Sequence, residues 1–386
     1  MALGNARGTT SGRFLAWIFL PLVAGNGRGR RTCSATDREN LQAAWDAEKG
    51  YDQYCRENQR NVDGRGPWID KYEAKEMVRS VVPHIRTTRT LFVTDNPGDF
   101  TPQLLSSFPS NYVVKATHGS QMTVLVDGNR ARCLRVAMAH KRKFCSRWTT
   151  LIKEEHAAFI QVNCKRWLEV DFGNISKQPA YSTIRPRCIV EESLVENTSG
   201  DSPPDIKVFV VHGRPLFFHI TASQKRTDTY TSGTLLPYNT LSGTMMTTDW
   251  QLIPAAKRKR LHDACGRCSE QAPPPFSPAL LARYLALAAT LGRSFPVVRV
   301  DFFKDNREPI FQELTFTTDN CRPSFVPAIL SRTLHYLASH REAIISSPCI
   351  GQAIRSVMCP CDKSTNTTAQ IWRAIRQFDI DSLDLL

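Results

Sequence analysis

The chain has 386 residues, of which 41% are hydrophobic, so it is long enough for a sizeable core or for two to three subdomains. Its 50 Lys and Arg residues outnumber 36 Asp and Glu residues, and the formal net charge of +14 favours anionic partners such as nucleotides, acidic glycans or anionic lipids. No nucleic acid is expected, because the basic runs at 28–31, 140–143 and 257–260 lack interleaved aromatic residues and no nucleic-acid-binding module is recognisable.

The first 36 residues contain no acid and include a short apolar run at 14–24. This run is too short for a comfortable membrane span, which needs about 20 apolar residues. A basic start, a short apolar segment and the small residues Ala24 and Gly25 favour a secretory signal or signal anchor. We therefore expect residues 1–36 to direct the chain to the secretory pathway or the Golgi membrane, with membrane association through the apolar run. An organelle transit peptide is the alternative.

After the leader we expect a helical extension over 37–66, a main domain over 67–340 and a C-terminal extension over 341–386. The patterns of apolar residues predict helices at 37–54, 69–81, 148–162, 277–291 and 326–340. They predict strands at 112–116, 122–126 and 187–192, and a hairpin formed by 206–211 and 215–221. Helices and strands are mixed without strict alternation, which is typical of an α+β fold with largely antiparallel sheets.

A second hairpin is predicted from two apolar runs, 297–303 and 309–316, on either side of a polar turn. Because side chains alternate between faces of a strand, Arg299 and Asp301 share one face of the first arm, and Glu313 and Thr315 share one face of the second. Acids on mostly apolar strands are costly unless a cation or metal matches them. Asp301 and Glu313 are therefore candidate ligands of Mg²⁺, which binds one or two carboxylates plus phosphate oxygens. The alternative is an edge hairpin with a solvated face.

Two lysines on apolar strands are candidate phosphate ligands. Lys115 lies among apolar neighbours, and His118, Gly119 and Ser120 follow it with the flexible backbone N–H groups and hydroxyl of an anion-binding loop. Lys207 has the same setting on the strand that begins the 206–211 hairpin. By itself each lysine is equally consistent with the edge of a core.

Two further features remain open from the residues alone. Glu191 and Glu192 end an apolar strand, where they suit either an adenine amino group and ribose hydroxyls or a solvated strand end. Cys265, Cys268, Cys359 and Cys361 have spacings that would suit a four-thiolate zinc site, but incidental or disulfide-bonded cysteines are favoured among the 12.

The order of these motifs resembles the ATP-grasp enzymes. In chain order they are Trp-Ile-Asp-Lys-Tyr at 68–72, the strand lysine, His-Gly-Ser, Glu-Glu, Asp-x-Lys-x-Phe at 205–209, Phe-Pro-x-Val-Arg-Val-Asp-Phe at 295–302 and Glu-Leu-Thr-Phe at 313–316. The series is most similar to the TupA-like branch, found among polysaccharide-biosynthesis proteins, and it spans residues 68–316. The resemblance implies two α/β subdomains with largely antiparallel sheets that clamp a nucleotide.

The resemblance also implies roles for individual residues. It assigns Lys115 to the α-phosphate of ATP, His118, Gly119 and Ser120 to a flap over the outer phosphates, and Glu191 and Glu192 to the adenine and ribose. It assigns a phosphate contact to Lys207, the Mg²⁺ ligands to Asp301 and Glu313, and a place beside the transferred phosphoryl group to Arg299. Two departures are Gln121-Met122, where the branch has small residues, and Thr317 to Cys321, where it has a Pro- and Gly-rich segment.

The function implied is an ATP- and Mg²⁺-dependent ligase that joins a carboxylate to an amine or similar nucleophile through an acyl phosphate. No Ser-His-Asp or Cys-His motif is visible, which agrees with this chemistry. The basic charge and the leader suggest an anionic glycan or an amino-acid-like carboxylate as substrate. The alternatives are an ATP-dependent sugar or glycan phosphotransferase and a non-catalytic nucleotide-binding protein.

Overall fold

The computed structural model describes residues 34–58, 64–120, 122–134, 149–194, 203, 205–221, 243–247, 252–253, 278–303, 305, 307–321 and 328–343. All of them belong to the compact unit Cys33–Leu386, which is distinct from the unit Met1–Thr32. Among these residues no helix is both long enough and apolar enough to cross a membrane. The apolar run at 14–24, the C-terminal extension beyond residue 343 and the four cysteines with zinc-like spacing lie outside the described residues.

The helices and strands are mixed along the chain, which confirms the predicted α+β class. The helices are α1 Ala35–Asp46, α2 Tyr51–Asn58, α3 Gly66–Ile69, α4 Glu73–Val81, α5 Pro102–Ser106, α6 Lys153–Leu168, α7 Phe172–Ser176, α8 Pro278–Gly292 and α9 Ala328–Ser339. Short 3-10 segments lie at Pro97–Asp99, Pro179–Thr183 and Thr318–Cys321.

A seven-stranded sheet contains both predicted hairpins. Its strands are β1 Arg86–Thr87, β8 Asp205–Val211, β9 Arg214–Thr221, β10 Gly243–Thr247, β11 Leu252–Ile253, β12 Val297–Phe303 and β13 Ile310–Thr315. The spatial order is β1-β13-β12-β8-β9-β10-β11, with β1 parallel to β13 and the other pairs antiparallel. This order places the hairpin β12–β13 directly beside the hairpin β8–β9.

A six-stranded sheet, antiparallel throughout, contains the predicted phosphate-binding lysine strand. Its strands are β2 Thr90–Thr94, β3 Asn111–Ala116, β4 Thr123–Asp127, β5 Arg130–Leu134, β6 Thr149–Thr150 and β7 Cys188–Glu192. The spatial order is β2-β7-β3-β4-β5-β6. One face of this sheet packs against α6 and α7 through residues such as Val114, Val190 and Ile160.

Both faces of the central strands β8 and β12 are buried. Val208 and Val300 face a core shared with α4 and α8. Phe209 and Val297 face the opposite way, into a core shared with α1, α2 and α9. That second core covers only the Val297 end of β12. Arg299 and Asp301, which lie farther along the same face of the strand, are not part of it.

Three predicted helices differ from the observed ones. The helix expected over 69–81 begins only at Glu73, after the separate short helix α3 at Gly66–Ile69. The single helix expected over 37–54 is divided into α1 and α2, and in the segment between them Gly50 packs so tightly on α9 that a Cβ there would lie 2.8 Å from the Ser331 hydroxyl oxygen. The Ser331 hydroxyl also accepts a hydrogen bond from the Tyr51 N–H at 2.8 Å. The helix expected over 148–162 instead runs from Lys153 to Leu168, since Thr149–Thr150 pair with β5 and the Glu155 carboxylate caps the Ile152 N–H at 3.0 Å.

Disulfide bonds join Cys55 to Cys321 and Cys164 to Cys188. The first bond connects α2 to the 3-10 segment after β13, across 266 residues of sequence. The second connects α6 to β7 within the six-stranded sheet's own core. Four of the described cysteines are thus disulfide-bonded, and Cys133 is a buried thiol.

Candidate functional site

A row of charged side chains crosses three strands of the seven-stranded sheet. The register pairs Asp301 on β12 with Lys207 on β8 at one side and with Glu313 on β13 at the other. Lys207 Nζ lies 3.0 Å from Asp301 Oδ2. The predicted sharing of one face by Arg299 with Asp301 and by Glu313 with Thr315 is confirmed, and the register brings three of the predicted site residues side by side.

The Asp301 carboxylate is fully buried and is matched by cations on two sides. Arg299 donates to it in bidentate fashion, from Nε to Oδ1 and from Nη2 to Oδ2, both at 2.7 Å. Burial by itself would raise the pKa of Asp301, but the positive charges of Arg299 and Lys207 outweigh burial and lower that pKa. The carboxylate is thus ionised in the folded protein. Arg299 Nη2 also donates to the Thr315 hydroxyl at 3.0 Å, which fixes the guanidinium on the neighbouring strand.

Glu313 has a more open setting than Asp301. Its side chain is 31% exposed, and its carboxylate lies 3.8 Å from Arg299 Nη2. The register between β12 and β13 shifts beside Asp301, so that Phe302 pairs with Phe311 rather than with Gln312. Such a bulge leaves the extra residue Gln312 unpaired. Because Phe311 and Leu314 both pack into the apolar core, Gln312 and Glu313 share the opposite, charged face.

This group of oxygen atoms fits a divalent cation of the Mg²⁺ type. Glu313 supplies a partly exposed carboxylate, and the amide Oε1 of Gln312 is buried without a hydrogen-bond partner among the described residues. Magnesium prefers such hard oxygen ligands and commonly takes only one or two protein carboxylates together with phosphate oxygens. Among the described residues there is no group of three or more His, Cys, Asp or Glu side chains that could hold a metal by itself. Sequence reasoning missed Gln312, since nothing in the pattern predicts the bulge.

A second buried carboxylate, Glu191 on β7, lies in the six-stranded sheet. Lys115 Nζ on β3 donates to its Oε2 at 2.6 Å, Lys75 Nζ on α4 pairs with its Oε1, and the Thr88 hydroxyl donates to Oε1 at 3.0 Å. Burial alone would raise the pKa of Glu191, but Lys115 and Lys75 outweigh burial and lower the pKa to about 2. Glu191 therefore has two cationic partners, Lys115 and Lys75. Its predicted contact with adenine or ribose stays a prediction.

Lys115 lies where the two sheets approach each other. Its ammonium is 5.7 Å from the ring centroid of Phe303 on β12, and its side chain is 17% exposed. An ammonium has three donors, and one of them is used by Glu191. Lys115 is therefore able to donate to a phosphate oxygen while it keeps its carboxylate partner. Lys75, in contrast, is 5% exposed and donates to the Thr88 C=O at 2.8 Å and to the Thr90 hydroxyl at 3.1 Å as well as to Glu191.

Lys71, in the segment that precedes α4, connects the predicted flap with both charged groups. Its Nζ donates to the C=O of Gly119. Burial lowers the pKa of Lys71, the carboxylate of Glu313 opposes that lowering, and the charge of Lys115 adds to it. Lys71 is thus within electrostatic reach of both sheets. The motif at 68–72 contains it, but the motif alone assigned it no role.

The flap residues have three different environments. The His118 side chain is buried, its Nε2–H donates to the Trp167 C=O at 3.0 Å, and burial lowers its pKa. A Cβ on Gly119 would lie 2.9 Å from the ring of Phe172, so the loop needs glycine there. Ser120 is exposed. The imidazole therefore anchors the loop to α6, and the backbone at 118–120 with the Ser120 hydroxyl remains available to a phosphate.

Glu192, next to Glu191, lies at the surface rather than in the buried charge cluster. Its side chain is 32% exposed, and its Oε1 accepts a hydrogen bond from the Arg89 backbone N–H at 2.9 Å. The Glu192 carboxylate has lone pairs left for a ribose hydroxyl, so its predicted role stays a prediction.

The other members of the 68–72 motif hold the scaffold together. Asp70 is 1% exposed, and its carboxylate accepts from the N–H groups of Tyr72 and Glu73 at the start of α4. It also pairs with Arg187 at 3.1 Å. Trp68 packs edge to face on Phe295 with ring centroids 5.4 Å apart. These contacts fix α4 against both sheets and thereby position Lys71 and Lys75.

Comparison with solved structures finds distant likenesses. The D-alanine–D-alanine ligase from Helicobacter pylori is 13% identical, with a TM-score of 0.36, and the match covers 70% of this chain and 60% of that one. The D-alanine–D-alanine ligase from Bacillus anthracis is also 13% identical, with a TM-score of 0.36, and the match covers 74% of this chain and 69% of that one. The described chain thus spans less than two thirds of the Helicobacter enzyme. Comparison with curated proteins finds no match.

The family comparison covers most of the chain. The model of the TupA-like ATP-grasp family matches residues 56–335, a range that contains Lys115, Glu191 and Lys207 as well as the hairpin β12–β13. That match extends over more than half of the sequence and includes both sheets that carry the charged groups described above. The chain therefore belongs to the TupA-like ATP-grasp family.

Proposed function

We propose that this protein is an ATP- and Mg²⁺-dependent ligase that joins a carboxylate to an amine or a similar nucleophile. The observation that carries the proposal is the row Lys207, Asp301 and Glu313 with Arg299 beside it, facing Lys115 of the other sheet. Membership in the ATP-grasp family supports the same chemistry. Phosphoryl transfer is catalysed mostly by positioning the reactants and by stabilising charge. Neighbouring cations and carboxylates, which bind phosphate and metal, are able to do both.

The residues divide the work of binding ATP and Mg²⁺ between the two sheets. Lys115 and Lys207 would hold phosphate oxygens, with the loop at 118–120 over the outer phosphates. Glu313, Gln312 and Asp301 would hold Mg²⁺, which when bound neutralises negative charge on the phosphate oxygens. Glu191 keeps Lys115 in place, because its ionised carboxylate is fixed between that lysine and Lys75.

In the proposed reaction a substrate carboxylate oxygen attacks the γ-phosphorus of ATP, the bond to the ADP oxygen breaks, and an acyl phosphate forms. The amine nitrogen then attacks the acyl carbon, phosphate leaves, and the nitrogen loses a proton. Arg299 is the group suited to stabilise charge on the transferred phosphoryl group, since its guanidinium is held rigidly by Asp301 and Thr315. The low exposure of Arg299 and Lys207 strengthens such interactions.

The substrate and the compartment belong to the same proposal. The net charge of +14 supports an anionic substrate, and we propose an acidic glycan or an amino-acid-like carboxylate in polysaccharide or glycoconjugate biosynthesis. The disulfide bonds Cys55–Cys321 and Cys164–Cys188 support an oxidising compartment, since such bonds persist in secreted and luminal proteins. They favour the secretory pathway over an organelle with a reducing interior.

The test is an assay of phosphate release with ATP, Mg²⁺ and a panel of amino acids and uronic-acid glycans. Hydroxylamine in the reaction should trap the acyl phosphate as a hydroxamate and thus distinguish a ligase from a sugar or glycan phosphotransferase. Arg299→Lys is the matched variant, because it keeps a positive charge but loses the bidentate contact with Asp301. We expect hydroxamate with wild type and strongly reduced hydroxamate with the variant. Phosphorylated sugar without hydroxamate would support the phosphotransferase instead.

A non-catalytic, nucleotide-binding role is the rival that one observation favours. Both carboxylate oxygens of Asp301 are already engaged by Arg299 and Lys207, which suits a structural charge cluster as well as a metal site. The two functions differ in ATP turnover. Binding of a non-hydrolysable ATP analogue without any turnover across the panel would favour the rival.

A further inference from the structure

A cleft lies next to the row of charged residues and is not used by the nucleotide contacts described above. Its lining residues include Arg65, Ile69, Gln178, Tyr181, Phe316 and Thr317, and it is partly open to solvent. The lining combines one cation with apolar and hydrogen-bonding side chains, a mixture that is typical of sites for small molecules.

The cleft borders the proposed reaction centre. Phe316 and Thr317 directly follow Thr315, whose hydroxyl accepts from Arg299. Tyr181 lies close enough to the same centre that its pKa, raised first by burial, is raised further by Glu313 and lowered by Arg299. Tyr181 is therefore protonated at neutral pH and is able to donate a hydrogen bond. A molecule in this cleft would have the charged row at one end.

The walls of the cleft are held together by cross-links between distant parts of the chain. The Phe316 C=O accepts from the Tyr51 hydroxyl at 3.3 Å, and the disulfide Cys55–Cys321 ties α2 to the segment that follows the cleft wall. Thr317 Oγ1 donates to Gln178 Oε1 across the cleft. A site with such fixed walls is organised before its ligand arrives, which reduces the entropy lost on binding.

Arg65 gives the cleft a positive charge that lacks an acidic partner among the described residues. Its guanidinium lies 5.2 Å from the ring centroid of Phe316 and donates to the Asn58 C=O at 3.2 Å, and neither partner is an anion. Arg65 is partly buried, and burial lowers its pKa. An arginine remains charged in such a setting, so a desolvated guanidinium favours an anionic ligand. Stacking on Phe316 leaves its planar fork of donors free to meet a carboxylate.

We infer that this cleft binds the carboxylic acid substrate, with Arg65 as the anchor for a carboxylate. The inference rests on the proposed ligase function and names the substrate class: a small organic acid with an apolar part. Ile69 and Phe316 supply apolar contact, and Gln178, Thr317 and Tyr181 supply hydrogen-bonding groups for hydroxyl or amino substituents. Arg65 is a binding residue, distinct from the cations that face the phosphates.

The experiment measures ligand binding by calorimetry to the full chain in the presence of Mg²⁺ and a non-hydrolysable ATP analogue. The probes are L-phenylalanine, L-glutamate and D-glucuronate, each compared with its methyl ester, which lacks the carboxylate charge; for L-glutamate the ester is the dimethyl ester. Wild type should bind at least one acid and should not bind the corresponding ester. Arg65→Met should weaken that binding roughly 10- to 100-fold, the effect of one charged hydrogen-bonded pair, and Arg65→Lys should weaken it less.

The nucleotide provides the internal control. Affinity for the ATP analogue should be the same in wild type, Arg65→Met and Arg65→Lys, and the melting temperature of Arg65→Lys should stay near that of wild type. An Arg65→Met variant that loses nucleotide affinity would make Arg65 a phosphate ligand and would overturn the inference. Loss of stability with unchanged acid binding would make Arg65 a structural residue and would overturn the inference too.

The two proposals fail in different ways. If wild type does not bind the ATP analogue, the proposed ligase function is wrong. If wild type binds the analogue but none of the acids, the function stands and the assignment of the cleft is wrong.

Discussion

The two sheets of this protein each bury one carboxylate between two cations, but they do so with different geometry. Asp301 in the seven-stranded sheet receives both nitrogens of a bidentate guanidinium from its own strand and a lysine from the neighbouring strand. Glu191 in the six-stranded sheet receives one lysine on each oxygen, one from a strand and one from a helix. The Asp301 carboxylate has less freedom to rotate than that of Glu191, because the planar guanidinium of Arg299 fixes the plane of the carboxylate.

Exposure distinguishes the two clusters further. Arg299 and Lys207 have side-chain exposures of 6% and 10%, whereas Lys115 is 17% exposed and sits at the approach between the sheets. A lysine with spare donors and some access to solvent is able to meet an incoming phosphate. We therefore expect the rigid cluster around Asp301 to hold charge in place and the looser cluster around Glu191 to present a cation to the nucleotide.

The largest effect is expected from Asp301→Asn. The substitution would leave Arg299 and Lys207 as buried cations without their carboxylate, and breaking a buried ion pair in this way costs about 3–5 kcal/mol. Relief of the repulsion between Asp301 and Glu313 would offset little of this cost, because Arg299 and Lys207 are the charges that act most strongly on Asp301. Urea denaturation should show the loss in the free energy of unfolding, and metal-dependent ATP turnover should also disappear.

Asp205→Asn is the matched control for that prediction. Asp205 also pairs with Lys207, at 3.4 Å, but its side chain is 28% exposed. Partly exposed pairs of this kind contribute at most about 1 kcal/mol. Equal losses from the two variants would mean that burial of the Asp301 cluster does not matter, and turnover that survived Asp301→Asn would exclude this residue as a metal ligand.

The second effect concerns pH and the Glu191 cluster. The pKa of Glu191 is lowered from its ordinary value of 4.5 to about 2 in the folded protein. A lowered folded-state pKa stabilises the protein above the unfolded pKa, and that stability is lost as pH falls toward the folded pKa. The difference corresponds to about 3 kcal/mol, present above about pH 5 and lost progressively between about pH 5 and pH 2.

The measurement compares the unfolding free energy of wild type and Glu191→Gln at several pH values. The gap between them should be widest near neutral pH and should shrink as pH falls from about 5 toward 2, because the unfolded chain then binds a proton at Glu191 that the folded protein does not yet bind. A gap that is independent of pH would show that the charge of Glu191 is not the source of its contribution to stability.

A third prediction separates the two lysines that share Glu191. Lys115→Met should weaken binding of a non-hydrolysable ATP analogue by about 1.5–3 kcal/mol, the range for charged hydrogen bonds. Lys75→Met removes the same charge from Glu191, but Lys75 is already engaged by Thr88, Thr90 and Glu191. It should therefore lower stability and change nucleotide affinity much less. Calorimetric titration decides, and equal losses of affinity would contradict a separate phosphate role for Lys115.

The parts of the site that could be predicted from the sequence are those on strands. Alternation of side chains was sufficient to put Arg299 and Asp301 on one face and to pair Asp301 with Glu313, because two-residue periodicity fixes the face. The acids and lysines could be recognised as candidate site residues because their neighbours on the strands are apolar. The register between β8 and β12, which brings Lys207 to Asp301, came from tertiary packing and was beyond the sequence pattern.

The parts that could not be predicted come from helices and irregular segments. Lys75 lies on the buried side of α4 beside Ala74 and Val78, and a lysine on an apolar helix face was the signal that would have identified it. Gln312 depends on a bulge, and Tyr181 depends on a 3-10 segment far away in sequence. Local patterns specify which face a residue occupies, whereas contacts between distant segments decide which charges meet.

The smallest effect is expected from Glu192→Gln, which tests whether the looser cluster continues to the nucleotide. Glu192 is 32% exposed, and its ion pair with Arg89 has an N–O distance of 3.9 Å, so the substitution should change stability by less than about 1 kcal/mol. If Glu192 accepts a hydrogen bond from the ribose, affinity for the ATP analogue should fall by about 0.5–1.5 kcal/mol. A 2′,3′-dideoxy analogue, which has no ribose hydroxyl to donate, should bind wild type and variant equally. If the variant binds both analogues as tightly as wild type does, Glu192 is a solvated strand end. Strand β7 would then support nucleotide binding only through Glu191, which holds Lys115 in place.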